Sequence, residues 1–323
     1  MQRIDLFCGS RFASYSLMLI KSVRKSVSTF FTRSRNPIFE KNRISTDSYL
    51  HNKDGATIYK QNHTMTQKLD TLLRYSELII YKTYADLRAE TERTYLGFLW
   101  WIFEPILYMS VFYVFFGLLL KHGTPNYVPF LLTGLTAWQW LKSCISHGAE
   151  TILKAHSFMQ QVNLPKVIFP IILVLTDTVK FLFIFALLLI FLWIYGYSVD
   201  ITYLALPAVL IVQLLFTMAL VFFLAAIVPF LPDLRFVVEN ILLALFFMSG
   251  VMIRGDIVPE AYKQYYYSNL IVIIIESYRD ISMHNVWPNG SALLIIGVVS
   301  LIGIWLGTRL IARFEYIYPK IMQ

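Results

Sequence analysis

Apolar and polar positions divide the chain into two regimes that meet near residue 97. Beyond that point lie six apolar blocks, at roughly 98–120, 127–147, 168–195, 203–228, 236–252 and 291–312. A bilayer's hydrocarbon core takes about 20 helical residues to cross, so each block is expected to be a transmembrane helix. The first, Phe98 to Leu120, and the third, fourth and sixth are plain. The second and fifth are weaker, because Gln139 and Lys142 fall late in one, and Glu239 and Asn240 early in the other. Residues 253–290 are semi-polar, and their apolar patch from Leu270 to Ile275 is too short to span. It is expected as half of a re-entrant pair, which is tolerated only where protein or water shields it.

Ahead of the blocks, residues 68–93 follow a helical period. Leu69, Leu72, Leu73, Ile80, Tyr84 and Leu87 recur at three- and four-residue steps, with Asp70, Arg74, Glu77, Lys82 and Asp86 between them. That charged face is too strong for a span, so the segment is expected to be an amphipathic helix lying along the cytoplasmic membrane surface. Residues 21–64 are rich in Ser, Asn, Lys and Arg, show no period, and are expected to be disordered. The apolar stretch Tyr15 to Ile20 is too short for a signal peptide, and basic residues follow it rather than precede it. Met65 opens the patterned region and offers an alternative start. The fold expected is therefore all-α and integral to the membrane. Six transmembrane helices follow an N-terminal interfacial helix, with external re-entrant or gate helices. The divisions are 1–64 (polar, basic extension), 65–97 (amphipathic helix), 98–316 (transmembrane domain) and 317–323 (cytoplasmic tail).

Composition agrees with this pattern. The chain is 57% hydrophobic and only 15% charged, with a mean hydropathy of +0.58, against about a quarter charged in soluble domains. The net charge of +8 comes largely from the first quarter, so it reports orientation and argues against a nucleic-acid partner. With the N-terminus inside, Lys82, Arg88, Arg93, Lys154, Lys166, Arg235, Arg313 and Lys320 fall on the cytoplasmic side. Lys121, Arg254, Lys263 and Arg279 fall opposite, eight against four. Positive charge collects inside, so both termini are expected in the cytoplasm. Cys8 and Cys144 lie too far apart in pattern for a disulfide framework.

The chemistry of single residues is sparse. His51, His63, His122, His147, His156 and His284 have no metal-ligand spacing, and no Ser/His/Asp order suggests a nucleophile. No catalytic site, metal or cofactor is expected in the chain. It lacks any Gly-x-x-x-x-Gly-Lys-Ser/Thr loop to cradle ATP phosphates, so no ATP site of that kind is expected in the chain. Glu104, about two turns into the first span, is an intramembrane carboxylate and hence a functional candidate. The competing reading makes it an anchor paired with Arg88 or Arg93. A proton relay is disfavoured because no second acid follows along the pore. The first span is also rich in rings: Trp100, Trp101, Phe103, Tyr108, Phe112, Tyr113, Phe115 and Phe116. Rings stack on sugar faces and tolerate varied hydroxyls. Interfacial belts and helix packing use the same residues.

Five segments carry a resemblance to a known family. They are Tyr95-Leu-Gly-Phe-Leu-Trp-Trp-Ile-Phe-Glu-Pro105, Phe130-Leu-Leu-Thr-Gly-Leu-Thr-Ala-Trp138, Gln161-Val-Asn-Leu-Pro-Lys-Val-Ile-Phe-Pro170, Leu231-Pro-Asp-Leu-Arg235 and Glu276-Ser-Tyr-Arg-Asp280. In this order and spacing, over about residues 68–318, the chain resembles the ABC-2 type permeases that export O-antigen, capsule or teichoic acid. One departure touches the external gate: the family often has Asn-Pro-Leu where this chain has Asn269-Leu270. The resemblance implies a homodimer in the inner membrane, served by two copies of an ATPase that binds ATP and Mg, and handling a lipid-linked polysaccharide. It implies that a short helix between Glu150 and Gln161 docks into the ATPase, with Glu150, Lys154, His156, Gln160 and Asn163 as coupling candidates. It adds Phe246 and Phe247 of the fifth span to a channel formed by Trp100, Trp101, Phe103, Glu104, Tyr108, Phe112 and Phe115. Glu276, Arg279 and Asp280 become candidates for the external gate. Arg74, Lys82, Arg88 and Arg93 lie where the lipid pyrophosphate would approach from the inner leaflet, and they equally suit attraction to anionic membrane lipids.

Other readings stay open. An exporter of lipid, drug, heme or another small molecule uses the same architecture. A membrane-bound glycan-modifying enzyme would need a convergent external cluster, for which Arg254, Asp256, Glu260, Arg279 and Asp280 are the material at hand. An ion-driven carrier would show internal repeats and paired intramembrane acids.

Overall fold

A computed structural model describes residues 55–92, 97–112, 114, 126–156, 159, 164–253, 255 and 257–321. Every regular element among them is helical: α1 (Gly55–Glu92), α2 (Trp100–Phe112), α3 (Tyr127–Lys154), α4 (Ile168–Tyr195), α5 (Leu206–Ile227), α6 (Leu234–Met248), α7 (Glu260–Ser268), α8 (Leu270–Arg279), α9 (Gly290–Phe314) and α10 (Tyr318–Ile321). Short 3-10 turns open α2 and α5, and a π-turn, Asp280–His284, follows α8. The chain divides at Thr66 into two units, and the residues that build the candidate site lie in the second, Gln67–Gln323. Helix α1 begins at Gly55, inside the stretch whose sequence shows no period. Residues 1–54 lie outside the described residues.

Three helical segments are long and apolar enough to cross a bilayer, namely Ile168–Tyr195, Ile201–Ile227 and Gly290–Phe314. They coincide with the third, fourth and sixth expected spans. The second expected span is a 28-residue helix, α3, whose polar Gln139, Lys142, Ser143 and His147 lower its hydropathy. The fifth, α6, has 15 residues. At 1.5 Å per residue it reaches about 22 Å, short of a hydrocarbon core of roughly 30 Å.

Local sequence explains most boundaries. Gly196, at φ 113°, ends α4 in a left-handed conformation that side-chain-bearing residues rarely take. Asp200 accepts from the Ile201 N–H at 2.7 Å, and Asn289 accepts from the Ala292 N–H at 3.2 Å to open α9. Asn269 separates α7 from α8 without a proline. Its extended backbone ends one helix, its side chain accepts from the Ile271 N–H at 3.0 Å, and its amide donates to the Met248 carbonyl at 3.2 Å.

The core is formed where α3, α4, α5, α8 and α9 meet. Trp140 of α3 stacks on Phe181 of α4 with ring centroids 4.1 Å apart, and Phe181, Phe185 and Tyr278 continue the ring contacts toward α8. Helix α8 buries Ile271, Val272, Ile274, Ile275 and Tyr278, whereas α7 buries nothing and exposes Tyr262, Tyr265 and Tyr267. At the far end, the Tyr318 hydroxyl donates to the Ala226 carbonyl at 3.1 Å, and burial pushes its pKa up to about 12.

Candidate functional site

Helix α3 organises the site. Leu135, Gln139 and Lys142, spaced i, i+4 and i+7, fall on one face. They form a wall shared by two cavities. One, of about 330 Å³, is closed by Trp100, Trp101 and Glu104 of α2, by Glu90 of α1, and by Asp177 and Lys180 of α4. The other, of about 470 Å³, is closed by Trp138 of α3 and by Glu239, Asn240, Phe246 and Phe247 of α6. Trp138 and Phe246 lie 5.8 Å apart, and Phe246 meets Phe247 edge-on at 5.4 Å. Each cavity thus joins aromatic rings to a carboxylate and an amide.

Trp100, Trp101, Glu104, Phe246 and Phe247 of the expected channel set therefore reach a cavity wall, and Phe103 does not. The side chains of Tyr108 and Phe112, with Phe115, lie outside the described residues. Glu104 accepts from the Gln139 amide at 3.3 Å. The expected alternative partner Arg88 bonds Glu92 instead, at 2.7 Å, because the i, i+4 spacing on α1 makes that pair local. Arg93 lies outside the described residues.

A buried acid that the sequence reading did not single out lies near Glu104. Asp177, on the largely apolar α4, lines the same cavity and is 4% exposed. It meets His147 Nδ1 at 2.9 Å and Lys180 at 3.0 Å, and Lys180 continues to Glu90 at 2.7 Å. The Ser143 hydroxyl donates to the same Asp177 oxygen at 3.4 Å. A buried carboxylate persists as an ion only with such partners. The network ties α1, α3 and α4 together. Its signal in the sequence was Asp177 and Lys180, three residues apart within an apolar run.

The expected short helix between Glu150 and Gln161 overlaps the end of α3, and His156 and Met159 are again helical beyond a turn at Ala155. Helix α3 continues without a break to Lys154, so Glu150 and Lys154 belong to its last turns. No proline intervenes before Pro165, and the Glu150–Lys154 ion pair at 2.8 Å supports the last turn. Glu150 also reaches Arg235 at 3.4 Å, joining α3 to the first turn of α6. The hydrogen bond from Lys154, followed by the charges of Lys154 and Arg235, holds the Glu150 carboxyl below its usual 4.5 against the opposing effect of burial. His156 is half-buried just beyond; Gln160 and Asn163 lie outside the described residues.

Of the head-group candidates on α1, Lys82 is paired with Asp86 at 2.5 Å and Arg88 with Glu92, while Arg74 is exposed. Leu73, Ile80 and Tyr84, the apolar face, are exposed as well. Arg279, counted on the external side, is fully buried. Its guanidinium donates to the carbonyls of Phe130, Gly250 and Val251 at 3.2, 2.8 and 2.9 Å, pairs with Glu276 at 2.9 Å, and lies 3.5 Å from the Phe130 ring centroid. It is a tie between α8, α3 and the end of α6. Asp280 beside it is half-buried, and that burial, with the neighbouring Glu276 charge, raises its carboxyl above the usual range. Arg254 and Asp256 of the alternative external cluster lie outside the described residues.

Three helices of spanning length and composition, packed with ionisable groups held in pairs, define an all-helical membrane domain. Residues 86–283, more than half of the chain, match the family model of the ABC-2 type transporters, and the chain belongs to that family. It is 28% identical to the O-antigen export system permease protein RfbA of Myxococcus xanthus, over 75% of this chain and 94% of that protein. It is 26% identical to the protein of the same description from Klebsiella pneumoniae, over 75% and 95%. The polysialic acid transport protein KpsM of Escherichia coli is 25% identical, over 70% and 88%.

Proposed function

We propose that this chain is the permease subunit of an ATP-driven exporter that moves a lipid-linked polysaccharide across the inner membrane. The observation that supports this best is its alignment with almost the whole length of proteins described as O-antigen export permeases. The site suits the cargo. A long glycan must slide, so it needs weak repeated contacts, and rings with nearby amides and carboxylates provide them without fixing one sugar. The working unit is a homodimer with six spans per chain, both termini in the cytoplasm and α1 lying in the inner-leaflet interface. Two copies of a separate ATPase bind ATP and Mg. The Glu150, Lys154 and Arg235 face of this chain receives their motion and passes it along α3 to both cavities. Glu276, Arg279 and Asp280 hold the external end of the same helices.

Loss of the chain from its cell tests the reading. The expected result is lipid-linked glycan retained on the cytoplasmic face and absent from the surface, restored by the wild-type chain. Normal surface glycan in the deletion strain, with a drug or lipid retained instead, would transfer the chain to the small-molecule exporters.

A further inference from the structure

Every ionisable side chain on the two cavity walls is engaged except one. Glu90 is paired with Lys180, Asp177 with Lys180 and His147, Glu104 with Gln139, and Glu239 accepts from the Ser146 hydroxyl. Lys142 is half-buried, lines both cavities, and has no hydrogen bond or ion pair among the described residues. Within the expected span 127–147 it lies five residues from the cytoplasmic end, about 7.5 Å at the helical rise. From there the long lysine side chain can reach back toward the inner-leaflet head groups. A half-buried ammonium is costly without a counter-ion, and the compact charge of lysine suits a phosphoryl oxygen.

We propose that Lys142 is the contact for the phosphoryl group that links the glycan to its lipid carrier, with the two cavities holding the sugars on either side. The inference rests on the polysaccharide reading above and relocates the head-group site from the α1 surface to α3. The i, i+4, i+7 wall explains why one lysine serves both cavities: the anion passes from one to the other without leaving its cation. Gln139, one turn away, keeps a second amide hydrogen beyond the one it gives Glu104, and supplies a further donor on the same stretch of helix.

The test uses the purified full chain in nanodiscs of neutral phosphatidylcholine, labelled with a photoactivatable polyprenyl monophosphate. The concentration for half-maximal labelling of α2 and α3 peptides is the readout, and thermal unfolding checks that each variant is folded. Lys142→Gln is expected to need roughly tenfold more probe, as for the loss of one charge-assisted hydrogen bond. Lys142→Arg should stay near wild type, and the uncharged polyprenol should label all three chains alike. Equal labelling of wild type and Lys142→Gln would overturn the proposal. So would rescue of Lys142→Glu by Glu104→Lys or Glu239→Lys, which would make a protein carboxylate the true partner. Displacement of the probe by an equal amount of phosphatidylglycerol would assign the lysine to bulk anionic lipid instead. No ATPase is present, so this outcome is separable from failure of the exporter reading, which is judged on coupling and surface glycan.

Discussion

Arg279 and Lys142 are both cations held within the helical bundle, and the protein treats them in opposite ways. Arg279 is sealed: three carbonyl groups, a carboxylate and an aromatic ring surround it, and none of its surface remains open. Lys142 stands between two open cavities with no partner among the described residues. A charge satisfied by the fold holds helices in register, and a charge the fold leaves unsatisfied is kept for something that arrives. The cost of burying an ion sharpens the contrast, since nothing but a partner offsets it.

The comparison breaks first at Arg279. Arg279→Met should leave the carbonyls of Gly250, Val251 and Phe130 without their donor and cost about 3–5 kcal/mol, read as a lowered melting temperature or loss of folded protein. Lys180→Met comes next, at about 3 kcal/mol, because Asp177 keeps only His147 and Ser143. Gly134→Ala tests the seal from the other side. Its Cβ would lie 2.4 Å from Arg279 Nη2 and 3.3 Å from the Val251 Cα, where backbone cannot yield. About 1–3 kcal/mol is expected from that overpacking. Lys142→Gln, by contrast, should leave the melting temperature within about 0.5 kcal/mol of wild type. At Glu150 the small effect expected depends on pH. Its depressed pKa contributes stability above 4.5 that is lost as pH falls through the lower folded value. Glu150→Gln should therefore flatten the acid side of a stability–pH profile by under about 1 kcal/mol.

Much of the fold was legible because hydrophobic length dominates in a bilayer. The 168–195 block is α4 residue for residue, and the fourth and sixth blocks differ from their helices by a few positions. Gln139, Lys142, Glu239 and Asn240, the polar residues that weakened two of the blocks as spans, line the cavities. Their use depends on α2, α3 and α6 coming together, and spacing along one chain does not encode that. Asp177 escaped because one acid barely disturbs a hydropathy average over 28 residues. The extension of α3 through Glu150 escaped because a loop and a polar helix end share a composition. Arg279 looked external by its place in the chain, and only tertiary packing reveals three carbonyls converging on it.

The exporter reading is tested most directly by isolating the chain from its own membranes with any ABC ATPase bound to it, then measuring ATP hydrolysis in nanodiscs with and without lipid-linked glycan. A stable complex is expected, whose hydrolysis rate responds to the glycan. Exchanging the Glu150 and Lys154 charges should uncouple that response while assembly persists. Failure to find any ATPase partner under gentle extraction, or a rate indifferent to the glycan, would contradict it.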